Sequence, residues 1–452
     1  MERKSDRLIF LQLRKMVLGL FIVIQVFAVI ALLPAHSYNY SFTETHDIRR
    51  EFKHLITAPN NEVARQQAMI LECFLTGKKV RFQVVRESDS YYFVFINERA
   101  NLLHGSEFPM VSAGTYIIRR DAMSGVFTQI KIFLNNDPDT FVRIAPHNEG
   151  SILEFSLFNS MVYRNILIPM SIDRLITEPF ETIVKLSEYI INWNMLYAFY
   201  NETENKLVMN ISREIDKRLH TLNDSDDGAQ AWNGDFVFIR NNEPNPGKGF
   251  NCSGFAKWVA DGIYSAKNHS PSGGNRLMDI EVLKKKHLDT RKDTLALAYE
   301  NERDPFFGLD WTRNIAMTIY EHNNLRRRAR FSDVDIRDFP YEDYSDDIGY
   351  SVANLKAILY YLTVTDPGYI YLGSVNGNFG KDPVLRQHYH VVVFTPYIDS
   401  NGNFFPIVYE RNIKRPFNDF LRRNPRESIH LVRIKAEEAF FLSEIPPISD
   451  SE

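Results

Sequence analysis

Cys73 and Cys252 are the only thiols in the chain, and Cys252 stands where a thiol could act as a nucleophile. It lies within Asn251-Cys252-Ser253-Gly254-Phe255, and the following Phe255, Trp258, Val259, Gly262 and Ile263 fall on one face of an amphipathic helix. That spacing puts Cys252 at the helix N-terminus, where unpaired N–H groups and the positive end of the dipole favour thiolate over thiol. The small neighbours Ser253 and Gly254 are expected to leave room for a substrate backbone. A thiolate nucleophile needs a histidine to form an ion pair and protonate the leaving group, and that histidine needs a polar partner to orient it. Gln387-His388-Tyr389-His390 opens an apolar strand, Val391-Val392-Val393-Phe394, and Asp399 to Asn403 turns the chain into a second strand, Phe405 to Asn412. With the turn centred near residue 400 or 401, His390 faces Glu410 or Asn412. His388 is its rival, because alternate residues share a strand face.

These residues resemble the NlpC-type family of papain-like bacterial cell-wall peptidases. Asn251-Cys252-Ser253-Gly254-Phe255 matches the family's cysteine motif, His390-Val391 matches its histidine strand, and the third position falls on Glu410. Three departures stand out. Asn251 replaces the usual Asp, Glu410 replaces the usual His, and only Phe236 and Phe238 occur where the family often has an upstream Tyr. The resemblance implies a papain-like α+β domain that hydrolyses amides without metal or cofactor. Cys252 would be the nucleophile, His390 the general base and acid, and Glu410 the orienting group. The implied substrate is peptidoglycan peptide. The wide separation of the two motifs keeps another protein or amide substrate open, and the replacements keep open an inactive, peptide-binding envelope protein. The insertion between the motifs contains Tyr299 to Arg313, whose mix of charges and aromatics gives two further readings. Trp311 and Arg313 could line a substrate groove, or could pack within a loop leading into a helix from Asn314 to Asn323.

Elements that would position these residues follow from the patterning. Residues 229–452 are expected to form the papain-like domain. Before it come a helical segment at 38–77, a β-rich sandwich- or barrel-like module at 78–175 and a helical linker at 176–228. Cys73 is expected in the last turn of the first helical segment, as a small buried hydrophobe. Short alternating runs such as Val80–Val85 and Tyr91–Ile96, separated by turn residues, argue for antiparallel strands. His104 and His147 stand alone in turn-like sequence and carry no chemistry. Asn223 to Gly228 is acidic but lacks the ligand alternation of a calcium loop, so it is expected to be a solvated boundary.

Composition narrows the function classes. The 452 residues carry a net charge of −4, without the basic footprint that phosphate neutralisation demands, which argues against nucleic acid as a partner. Aromatic residues reach 13%, enough to build a core. Cysteine and histidine are too scattered for a structural zinc site. At the N-terminus, Arg3, Lys4, Arg7, Arg14 and Lys15 precede the apolar run Met16 to Leu33 and the small residues Ala35 and Ser37. Residues 1–37 therefore read as a secretory signal cleaved before Tyr38, or as an uncleaved anchor, which would be the chain's one attachment to a membrane. In either case the remainder is expected outside the cytoplasm.

Overall fold

The computed structural model describes residues 44–74, 77–98, 107–195, 201–267, 277–291, 298–300, 303–325, 327–400 and 402–445. The expected export segment and His104 lie outside the described residues. Among the described residues no helix is long and apolar enough to cross a membrane. Helix and strand occur in nearly equal shares, 31% and 32%, and they are segregated into an antiparallel α+β arrangement.

The first half is an eight-stranded meander. Its strands are β1 (Met69–Glu72), β2 (Lys79–Glu87), β3 (Ser90–Asn97), β4 (Tyr116–Asp121), β5 (Phe127–Phe133), β6 (Phe141–His147), β7 (Gly150–Leu157) and β8 (Ser160–Ile168). Each pairs antiparallel with the next in chain order. This is one sheet rather than the two of a sandwich, and no β8–β1 pair closes it into a barrel among the described residues. In β4 buried residues alternate strictly with partly exposed ones, as expected for a sheet with one covered face. Short helices before and after it, such as His46–Glu51 and Phe180–Ser187, dock on the sheet. The buried Arg49 ties the two ends together by bonding the Ile176 and Glu178 carbonyls at 2.9 and 3.0 Å.

Two expectations fail here. Met69-Ile70-Leu71-Glu72 is composed of good helix formers, yet it forms β1, because pairing with Lys79–Phe82 of β2 overrides local propensity. Cys73 therefore follows a strand rather than ending a helix. It is fully buried, and its thiol lies 3.1 Å from Asp47 Oδ2.

The second half centres on a six-stranded antiparallel sheet, with strand order β13-β18-β14-β15-β16-β17. Its strands are β13 (Tyr350–Ser351), β14 (Tyr369–Phe379), β15 (Leu385–Ile398), β16 (Phe404–Glu410), β17 (Ile413–Arg415) and β18 (Ser428–Lys435). Val391 to Pro396 is buried without interruption, as befits a strand covered on both faces. Helices Glu202–Arg218, Cys252–Tyr264 and Phe307–Asn323 share one core with this sheet, through Ile211, Ile215, Phe255, Trp258, Trp311, Ile315, Leu372, Val393 and Val432. On the other side, Phe394 packs against Phe417 and Phe420 of helix Phe417–Arg423. The meander meets the second half where Phe158 contacts Tyr360 and Phe404, where Tyr163 bonds Tyr341 at 3.0 Å, and where Lys356 pairs with Asp137.

The stretch expected to be linker is built into this second half. Helix Glu202–Arg218 contributes Val208, Ile211 and Ile215 to the core that holds the Cys252 helix, and the Tyr409 hydroxyl lies 2.7 Å from Ser212 Oγ. Asn223–Asp224, expected to be solvated, forms β9 and pairs in parallel with β12 (Gly249–Phe250). Gly228–Gln230 forms β10, paired with β11 (Phe236–Phe238). These two small ladders bracket the approach to Cys252.

Candidate active site

Asn251 caps the cysteine helix. Its side-chain Oδ1 accepts the Gly254 N–H at 2.7 Å, while its own N–H donates to the Gly228 carbonyl at 3.1 Å. Asp and Asn cap equally well, so the replacement of Asp by Asn keeps the helix start and removes a negative charge next to the thiol. Gly254 is not there to admit a substrate backbone. A Cβ at this position would lie 1.9 Å from the Gly228 carbonyl oxygen, so the glycine lets the helix close on β10. Ser253 is buried too, with its carbonyl accepting the Trp311 indole N–H at 3.0 Å.

Cys252 is the first residue of the helix and is only partly buried. His390, the Val391 N–H and the Ser253 side chain are the neighbours that favour its thiolate form. That amide is accessible because β16 pairs with β15 only from Val393 onward, so β15 is a local sheet edge at residue 391. His390 Nε2 lies 3.1 Å from Glu410 Oε1, and the other Glu410 oxygen is bonded by Arg415 Nε, with Arg423 Nη1 at 3.7 Å. With Nε2 committed to Glu410, Nδ1 is the ring nitrogen left for the thiol. The side chains of His390 and Glu410 keep 20% and 12% of their exposure, so the group is reachable from solvent.

The electrostatics favour a thiolate–imidazolium pair. Burial pushes the Cys252 thiol up, but the hydrogen bond and charge of His390, with the Val391 amide, hold it below its ordinary value. Burial works against the imidazolium as well, but bonds and charges from Cys252 and Glu410 push His390 up to about 9. Glu410 is also opposed by burial, and His390 and Arg415 hold it below the usual carboxylate range.

The rivals separate cleanly. The register of β14 on β15 shifts between Val375 and Asn376: Val375 faces His390, Asn376 faces His388, and Tyr389 is an extra residue. This bulge breaks the alternation, so the two histidines do not share a face. His388 is buried with Nδ1 2.9 Å from Ser374 Oγ. Asn412 follows β16 and bonds the Leu222 carbonyl at 3.2 Å, away from the histidine.

Trp311 and Arg313 do not line a groove. Helix Phe307–Asn323 begins seven residues before the expected Asn314, and both side chains are fully buried. Arg313 pairs with Asp335 and Asp347, each at 2.7 Å. His147 is exposed at the β6–β7 turn, where its Nδ1 accepts the Glu149 N–H at 3.4 Å. Among the described residues no group of histidine, cysteine and carboxylate side chains is placed to hold a metal ion. The residue that sequence reasoning missed is Arg415. Its signal is the tight turn at Arg411-Asn412, which pairs Glu410 with Ile413 and leaves Arg415 diagonal to Glu410.

Residues 39–195 match a family described as "Domain of unknown function (DUF8515)", which covers the flanking helices and the meander and ends before the cysteine half. Comparison with curated proteins and comparison with solved structures each give no match.

Proposed function

We propose that this chain is an exported cysteine hydrolase that cleaves amide bonds through Cys252, with the peptides of peptidoglycan as its substrate. The observation that carries the reading is that His390, 3.1 Å from Glu410 Oε1, neighbours the helix-opening Cys252 and holds its thiol below the ordinary value. A cysteine opening a helix laid on an antiparallel sheet, with histidine and carboxylate on adjacent strands, supports a papain-like assignment for this half. The Asn251–Phe255 motif supports the NlpC-type relation and with it the cell-wall substrate. The basic and apolar N-terminal order supports an extracytoplasmic location.

The chemistry follows from the ion pair. The Cys252 thiolate attacks the amide carbonyl carbon, forming an S–C bond and placing the negative charge on oxygen. The Cys252 N–H, in the first helical turn and without an intrahelical acceptor, is positioned to donate to that oxyanion. As the C–N bond breaks, the His390 imidazolium gives its Nδ1 proton to the departing amine, leaving a thioester. Neutral His390 then takes a proton from water, the resulting hydroxide attacks the thioester carbonyl, the S–C bond breaks to return the Cys252 thiolate beside the His390 imidazolium, and the carboxylic acid product leaves and gives its proton to solvent. Glu410 stays ionised throughout, holding the ring in place and stabilising its protonated form.

The experiment is digestion of purified peptidoglycan with the full-length protein, with products identified by mass spectrometry, beside labelling by a thiol-directed probe near neutral pH. New amine and carboxylate ends, with label on Cys252, are expected. Labelling without cleavage retains the nucleophile and rejects this substrate. No labelling of folded protein rejects the nucleophile.

A further inference from the structure

His388, which the cysteine site does not use, lines a separate cavity of about 380 Å³, at the small end of ligand-sized pockets. Its Nδ1 is engaged by Ser374 Oγ at 2.9 Å, so Nε2 is the ring nitrogen left to the cavity, and no described residue hydrogen-bonds to it. The residue is only 7% exposed. Burial, with the positive charges of Arg313 and Arg386 nearby, holds the ring well below its ordinary value and therefore neutral.

The wall carries both signs of charge. Arg386 lines the cavity, and its described hydrogen bond goes to a neutral amide, Asn376 Oδ1, at 2.7 Å. Two carboxylates line it as well: Asp346, whose side chain is 70% exposed with Arg337 no nearer than 3.9 Å, and Asp347, which pairs with Arg313. Phe306 and Val384 add apolar surface. A purely anionic ligand would meet the two aspartates, and a purely cationic one would meet Arg386.

We propose that this cavity is a binding site for a small zwitterion, a free α-amino acid, held by its carboxylate on Arg386 and His388 and by its ammonium on Asp346 and Asp347. In the tautomer where Ser374 donates to Nδ1, the His388 Nε2–H donates to the carboxylate. The site stands apart from the Cys252 reading and does not depend on it.

Isothermal titration calorimetry on the full chain tests this with L-alanine and L-leucine as probes, and with acetate and methylammonium as half-ligands. Saturable binding of at least one amino acid is expected, with each half-ligand at least about tenfold weaker. Arg386→Gln and Asp346→Asn alter partly exposed side chains, and each is expected to weaken binding about tenfold while leaving the circular dichroism spectrum unchanged. Absence of saturable binding up to about 10 mM, a weak limit on this scale, overturns the proposal. So does equal binding of a half-ligand, or undiminished binding by folded Arg386→Gln protein.

Discussion

An arginine, a carboxylate and a histidine are strung together twice in the second half, with opposite outcomes. In one chain Arg313, Asp335 and His430 are completely buried: Arg313 Nη2 lies 2.7 Å and His430 Nε2 3.4 Å from Asp335 Oδ2. In the other, Arg415, Glu410 and His390 keep 23%, 12% and 20% of their side-chain exposure. Burial holds His430 below its ordinary value despite Asp335, and its Nδ1 has no hydrogen-bond partner. His390 is pushed up to about 9. The carboxylate is common to both, so it does not set the difference. What differs is what else the ring meets: His390 meets a thiol that can become its counter-ion, whereas Arg313 Nη2 lies 3.2 Å from His430 Nε2 and its charge opposes an imidazolium there. An arginine–carboxylate–histidine chain is a structural clamp when closed and dry, and becomes chemically useful when it ends on a nucleophile near water.

Four variants would sharpen or break that contrast. The largest effect is expected from Cys252→Ala, which should lower amide hydrolysis by about 10⁴-fold or more while the protein still folds, measured as product release. Cleavage that survives the change would show that the exposed chain is structural too. Next, Asp335→Ala takes away the fully buried partner of Arg313 and leaves it only the more exposed Asp347, and is expected to destabilise the protein by about 3 kcal/mol in chemical denaturation. A negligible loss would mean the buried chain is not a clamp.

Glu410→Gln is expected to cost about 10²-fold in kcat/KM and to move the pH profile. The active pair, thiolate with imidazolium, exists above the depressed thiol value and below the raised histidine value, so activity rises through the first and falls near about 9. Removing the carboxylate lowers the histidine value, so the alkaline limb should shift to lower pH. The smallest effect belongs to Arg415→Gln, a change of about a few-fold in kcat/KM. With less positive charge beside it, Glu410 supports the imidazolium more strongly, so this variant should move the alkaline limb the other way. Equal shifts in one direction would show that Arg415 does not act through Glu410.

The cysteine site was legible in large part because its signals are local. Cys252 opens its helix, Asn251 is the cap, and the turn at 399–403 places Glu410 beside His390. What escaped reading depends on contacts distant in sequence. Met69–Glu72 takes its strand form from β2, and Asn223–Asp224 from Gly249–Phe250. Trp311 and Arg313 suit a groove because aromatic and cationic side chains suit binding, but Trp311 packs against the Cys252 helix with its N–H on the Ser253 carbonyl, and Arg313 is buried with Asp335 and Asp347 as partners. Gly254 shows the same ambiguity, since close packing and open access both ask for a residue without a side chain. For the meander, the alternating runs marked most strands, but a single-chain pattern could not distinguish one eight-stranded meander from a sandwich or barrel.

The extra residue at Tyr389 changes how the histidine motif should be counted. Along the sequence His388 and His390 are two apart, but along the hydrogen-bonded ladder they occupy successive places, opposite Asn376 and Val375. In ladder terms the motif is a histidine pair with one residue looped out. A chain with two adjacent histidines and no bulge would present the same two rings to the same two sides of the sheet. An alignment that respects strand register would therefore put its gap at position 389 and treat His-His and His-Tyr-His as equivalent spellings.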